Sequence, residues 1–235
     1  MKMKPMLKYI FSLLSIVVFA QNSDTLAVKN PDTIRSKERY TLRFGADLHR
    51  LSKSFYDDDY KGLELVGDLR LTKKFYAAVE VGSEKKFKDD VQVDYTTQGT
   101  YLKVGFDFNS YENWLDMKNV VSIGLRYGMS RFSQELHSYK IYQPSNYYGE
   151  NTYTPDTKFS GLSAGWLEVV GSVKAELFHN LFLGFSLRLN YLLHEEKPTN
   201  FENLYIPGYN KTYDGKYGAG FNYTLTYMLP LFRMK

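Results

Sequence analysis

Residues 217–232, YGAGFNYTLTYMLPLF, alternate with a period of two: Ala219, Phe221, Tyr223, Leu225, Tyr227 and Leu229 share one face, and Gly218, Gly220, Asn222, Thr224 and Thr226 share the other. The first face is greasy and the second small and polar, so the segment reads as a strand between two different media. A final strand of about ten residues with this alternation, tyrosines at intervals and an aromatic near its end is what a transmembrane β-barrel closes against its first strand. Pro230 has no N–H for the ladder, so regular pairing is expected to weaken near Leu229, which leaves Phe232 as an assembly-signal aromatic displaced from the last position.

Seven earlier segments alternate in the same way, beginning near Tyr40, Leu63, Tyr76, Tyr101, Val121, Trp166 and Leu181. The first strand runs through Leu48 and His49, and a polar, acidic loop follows it. Short turns fall at 72–74 and 179–180, and a moderately short link, SYENWLDMK, spans 110–118. Longer irregular stretches fall at 83–98, 133–161 and 194–216. The expected fold is therefore all-β: an eight-stranded, antiparallel, up-and-down transmembrane barrel with short periplasmic turns and long extracellular loops.

Alternation alone also fits a lipocalin-like soluble barrel. Volume separates the two, because an eight-stranded lumen is only just wide enough for side chains to fill. The leucines, phenylalanines and tyrosines of the apolar face cannot all point inward, whereas the glycine, serine and threonine face can. On that face lie charges of both signs: Arg43, Asp47, Glu64, Asp68, Arg70, Glu80, Lys103, Asp107, Arg126, Glu168, Lys174, Glu176 and Arg188. Ionic groups in a narrow interior persist only when paired, so the expectation is a salt-bridge network that plugs the lumen rather than an open pore.

The chain begins with Lys2, Lys4 and Lys8, then an apolar run from Tyr9 to Ala20 that is too short to span a bilayer as a helix. This is the pattern of a secretory signal peptide over residues 1–20, cleaved after Ala20. Residues 21–38 are polar, carry Pro31 and read as a flexible periplasmic lead-in, which leaves 39–235 for the barrel. Aromatic residues make up 17% of the chain and no apolar stretch after the signal reaches helix-spanning length, an outer-membrane profile. The absence of cysteine excludes a lipoprotein, a disulfide and a thiolate metal site. Lysines and arginines do not cluster on one face, so nucleic acid is not expected as a partner.

Four histidines, His49, His137, His179 and His194, are the candidates for acid–base catalysis. His137 beside Ser138, and His194 before Glu195 and Glu196, fall in outer loops without a nucleophile motif, so no catalytic residue is assigned. No cofactor and no metal site is expected, and the acidic run Asp57, Asp58 and Asp59 reads as a solvated turn. The outer loops are rich in tyrosine, including Tyr60, Tyr95, Tyr205 and Tyr209. The loop-centre pair Tyr147 and Tyr148 is the candidate for partner contact.

The strand pattern and tyrosine-rich loops resemble those of small, uncharacterised outer-membrane β-barrels of Bacteroidota. The triplets Asp24-Thr25-Leu26 and Asp32-Thr33-Ile34 resemble the O-glycosylation acceptor of that phylum, which makes Thr25 and Thr33 candidate attachment sites. The resemblance implies a place in the bacterial outer membrane and no activity. The expected role is a structural or interaction subunit in contact with outer-membrane lipid and with another envelope protein, a lipoprotein or a surface polysaccharide. The alternatives are a lipid-modifying enzyme, a narrow porin or a lipocalin-like small-ligand binder.

Overall fold

The computed structural model describes residues 39–111, 118–141, 152–209 and 216–233. The expectations for the signal, the lead-in, Thr25, Thr33, Tyr147 and Tyr148 lie outside the described residues.

The strands are β1 (Arg39–Asp47), β2 (Tyr60–Arg70), β3 (Phe75–Asp89), β4 (Val93–Asn109), β5 (Val120–Lys140), β6 (Thr152–Tyr153), β7 (Thr157–Phe178), β8 (Leu181–Glu195) and β9 (Tyr217–Arg233); one helix, α1 (Leu48–Tyr56), follows β1. Each long strand pairs antiparallel with its neighbours, and β9 pairs with both β8 and β1, so the sheet closes on itself. The two-residue β6 pairs with β5 beyond the end of β7, and Asp156 between them takes a left-handed φ of 45°. Eight strands thus form the ring, in the order β1-β2-β3-β4-β5-β7-β8-β9, with β6 as an outlying continuation of β7. No helix among the described residues is long and apolar enough to cross a membrane, which has no bearing on crossing by strands.

Burial follows the pleat. Outward side chains remain exposed although they are apolar: Leu65 is 51% exposed, Ile123 63%, Leu187 58% and Leu189 66%. Inward side chains are buried although many are charged, with Glu64, Lys103 and Glu168 at 0%. This is the reverse of a soluble domain, where the apolar faces meet each other.

Several boundaries depart from the sequence expectation. Leu48 and His49 leave the sheet and begin α1, because the Asp47 side chain accepts from the His49 backbone N–H at 2.7 Å and caps the helix. The expected loop over 83–98 is instead strand: β3 and β4 stay paired from Phe75↔Phe108 to Asp89↔Asp94 and turn over only three residues. β5 and β7 likewise extend into the expected 133–161 loop. The outward face is polar at this height, as at Ser83, Lys85, Gln98 and Ser133, so pairing continues where the outward apolar alternation stops. Pairing does not weaken at Leu229: Leu229 and Pro230 stay in register with Leu42 and Thr41, and the register of β9 against β1 shifts only beyond them, before Arg39↔Arg233.

Candidate functional site in the barrel interior

Inward positions from seven strands and one helix fill the lumen with two ionic groups, a triad near the turn end and a larger network above it. Nearest the 72–74 turn, Arg43 on β1 donates through Nε to Asp68 Oδ1 at 2.6 Å, and Lys174 Nζ on β7 reaches Asp68 Oδ2 at 2.6 Å. The Arg43 guanidinium also lies 4.8 Å from the centre of the Tyr76 ring. One tier deeper, Arg126 on β5 bonds Asp107 on β4 at 2.8 Å and approaches Glu80 at 3.6 Å. Arg188 on β8 holds Glu80 on β3 with two nitrogens and Glu168 on β7 at 3.1 Å. Lys103 Nζ sits among Glu168 at 3.2 Å and Glu64 and Glu80 at 3.6 Å each. The Trp166 indole N–H and the Tyr101 hydroxyl donate to Glu168 and Glu64 at 2.7 and 2.6 Å.

The tier above is built from outside the strand pattern. Arg50 points inward from α1, bonding Glu64 through Nε at 3.1 Å and Glu84 through Nη1. Glu84 accepts in addition from the hydroxyls of Tyr60 and Tyr205, at 2.9 and 2.5 Å, and from the Gly208 N–H at 3.0 Å. Asp47 receives the Asn222 side-chain amide from β9. Burial alone would lower the pKa of Arg50, but the Glu84 and Glu64 carboxylates hold it well above its ordinary range. Burial and the nearby Glu84 charge push the Tyr205 phenol well up, and burial raises Tyr209 to about 12.

Residues 196–209 fold into the barrel mouth rather than outward. Gln134 on β5 clamps this segment, accepting from the Leu204 N–H at 2.8 Å and donating to the Glu202 carbonyl at 3.1 Å. Ile206 and Tyr209 then pack with Tyr101, Phe132, Leu162 and Trp166, the Tyr209 and Trp166 rings meeting edge-on at 5.6 Å. Gly208 makes this possible: its φ is +79°, and a Cβ there would collide with the Tyr101 ring. Below the plug a small cavity of ≈ 40 Å³ remains among Asp68, Glu80, Asp107, Arg126, Lys174 and Arg188.

Eleven of the thirteen inward charges named from the sequence thus pair inside the barrel: Asp47, Glu64, Glu80, Lys103, Asp107, Arg126, Glu168 and Arg188 in one network, and Arg43, Asp68 and Lys174 in a separate triad toward the 72–74 turn. Arg70 and Glu176 are placed at the turn end of the barrel. Arg70 bonds the Thr72 and Lys73 carbonyls of its own turn, and Glu176 pairs with Lys118 at 3.7 Å and accepts from the Asn180 N–H. Both sit where the barrel opens, so local turn groups satisfy them. Sequence reasoning missed Arg50 and Glu84. Glu84 continues the inward register of Glu80 and Gly82, so parity along β3 could have found it; Arg50, on a helix, left no strand signal. Tyr60, Tyr95, Tyr205 and Tyr209, expected among the tyrosines of the outer loops, are turned inward or packed down.

The histidines remain apart from this interior. His137 lies on the outside of β5, with Nε2 2.9 Å from Thr96 Oγ1 and Nδ1 3.3 Å from Asp156. Glu135, His137 and Asp156 bring one potential metal-ligand atom each within 4.8 Å of one another, a grouping the sequence reading did not name. The Ser163 hydroxyl donates to Glu196 at 2.8 Å.

A family model described as a domain of unknown function, DUF6048, matches residues 6–234. The chain belongs to the DUF6048 family. Among curated proteins none matches. Of solved structures, the DUF6048 chain is similar to the crystal structure of Ail, the attachment invasion locus protein of Yersinia pestis, at 10% identity. That similarity covers 82% of this chain and 99% of Ail, with a TM-score of 0.40.

Proposed function

We propose that this DUF6048 chain is a bacterial outer-membrane protein whose barrel crosses the bilayer with a plugged lumen and serves as a structural or interaction subunit of the envelope. The observation that carries the reading is the inverted burial: an apolar belt exposed outside a ring whose interior is ionic. An exposed apolar surface of this kind is not sustained in water, whereas hydrocarbon solvates it, and closure removes the unpaired sheet edges that a bilayer excludes. The ionic filling speaks against a lipocalin-like binder, because ≈ 40 Å³ holds a water molecule or two and no organic ligand. It speaks equally against a narrow porin.

An export signal at 1–20 and a periplasmic lead-in at 21–38 complete the reading, with the short turns on the periplasmic side and α1 outside. Origin in Bacteroidota, with glycans on Thr25 and Thr33, belongs to the same proposal. The partner is another envelope protein, a lipoprotein or a surface polysaccharide, met at the loop end where Tyr147 and Tyr148 lie in sequence. Heat-modifiable gel migration of outer-membrane fractions tests the architecture; recovery of folded protein in the soluble fraction would overturn it. Mild-detergent capture followed by mass spectrometry tests the role, and repeated recovery of the barrel alone would count against an interaction subunit.

A further inference from the structure

The outward face of β2–β5 changes character over two rows of the sheet. Across the apolar belt, register aligns Leu65, Val81, Leu102 and Met129. The next row toward the loop end is Leu63, Ser83, Thr100 and Arg131, and the row beyond it is Lys61, Lys85, Gln98 and Ser133. Neither row contains a carboxylate; Glu135 stands a row further on, opposite Lys158. Lys61 and Lys85 are direct cross-strand partners and both are exposed. Like charges placed directly opposite each other are destabilising unless an anion lies between them. Among the described residues none of Lys61, Lys85 and Arg131 is paired with a carboxylate. An outer groove of ≈ 480 Å³ runs between two of these cations, lined by Lys85, Arg131 and the hydroxyl and amide side chains of Ser83, Thr100 and Gln98; Glu84 also borders it, with its carboxylate engaged inside the barrel by Tyr60, Tyr205 and Gly208.

We propose that this surface binds a phosphorylated lipid headgroup of the outer leaflet, with Lys61, Lys85 and Arg131 holding the phosphate and Ser83, Thr100 and Gln98 bonding the neighbouring polar groups. The proposal rests on the membrane-spanning reading above. Its occupant follows from the position and charge of the surface. Apolar side chains directly below the cations solvate acyl chains, so a ligand that satisfies both rows carries an anion on top of hydrocarbon. Lysine supplies compact point charges, and arginine a planar fork that engages two phosphate oxygens. The acid-free rows disfavour a cationic ligand, and the hydroxyls supply neutral donors for sugar or glycerol oxygens.

The test uses the full mature chain in nanodiscs of phosphatidylcholine, with native mass spectrometry and titration of lipid A, dephosphorylated lipid A and inorganic phosphate. Lipid A is expected to bind. Each of Lys61→Gln, Lys85→Gln and Arg131→Gln is expected to weaken binding about fivefold, and dephosphorylation to weaken it at least as much. Lys158→Gln, beside Glu135, should leave binding unchanged. Equal affinity for the two lipids, or wild-type binding by the triple variant, would overturn the proposal. Competition by inorganic phosphate at lipid-like concentration would reassign the site to free phosphate and overturn the lipid assignment. Heat-modifiability is scored on the same samples: an inserted barrel without lipid selectivity overturns this proposal alone, and a chain that fails to insert overturns both readings.

Discussion

Arg188 on β8 grips Glu80 on β3 through two nitrogens, at 2.6 and 3.1 Å, across the full width of the ring. The two strands stand opposite each other in the eight-strand order, so this pair acts as a strut, with Arg126 and Lys103 attached to its carboxylate end. Truncating one partner strips the other of its closest counter-ion, with Glu80 left to Lys103 and Arg126 at 3.6 Å and Arg188 left to Glu168 at 3.1 Å, so Arg188→Met or Glu80→Leu should destabilise the folded barrel by roughly 3 kcal/mol. The double variant should recover part of that loss, because neither charge then remains. Urea unfolding in lipid vesicles, analysed as a double-mutant cycle, measures both effects.

The plug and the ionic tiers below it block the lumen independently. Deleting residues 198–209 removes Tyr205, Ile206 and Tyr209 from the mouth but leaves Glu80, Arg188, Lys103 and Glu168 in place. The deletion variant should therefore stay at background conductance in planar bilayers. Discrete channel openings would show that the inward-folded segment is itself the seal.

Gly208→Val addresses how the plug is seated. The left-handed φ and the Tyr101 ring both oppose a side chain at this position, so the segment should lift from the mouth while the strands remain folded. Limited proteolysis within 196–216 should become much faster at unchanged thermal stability of the barrel. Unchanged cleavage would indicate that Gln134 alone holds the segment.

Alkali should release the same segment. Tyr209 titrates near 12 when packed and near 10 when free, and Tyr205 is raised further by burial and Glu84. The packed segment therefore keeps its full stability below pH 10 and loses it as the pH rises through about 12, because the free phenols give up their protons first. Phenolate absorbance should show these two tyrosines titrating late, with protease sensitivity rising over the same window.

On the outer face of β4, Val104→Arg and Gln98→Arg place the same charge at two heights. In a bilayer the first should cost about 2–4 kcal/mol of folding free energy and the second close to nothing. Equal effects would mean that the belt does not meet hydrocarbon.

The strands were legible wherever their outward residues are apolar, as at Leu63, Leu65 and Leu69 on β2 or Val104, Phe106 and Phe108 on β4. Beyond the belt the outward positions turn polar, so Lys85, Gln98 and Glu135 broke the apolar alternation, and their segments read as loops. Most of the interior network was legible because strand parity assigns a face to each charge. Arg50 was not, because parity says nothing about a helix. The inward fold of 196–209 had left one trace, the apolar Phe201, Leu204, Ile206 and Pro207 set among polar residues.

Asp47 caps α1 and also receives the Asn222 amide from β9, the last strand of the ring. The first and last strands therefore meet at the residue that seats the helix carrying Arg50, and the His49 ring packs 4.9 Å from that of Phe221 on the same seam. In a ring still open between β1 and β9, Asp47 lacks that amide and His49 lacks that ring, so α1 is held from the β2 and β3 side alone, through Ser54 on Gly62 and Arg50 on Glu64 and Glu84. The seam thus doubles as a completion checkpoint: the Asp47 carboxylate finds its buried amide donor only after the C-terminal strand has arrived.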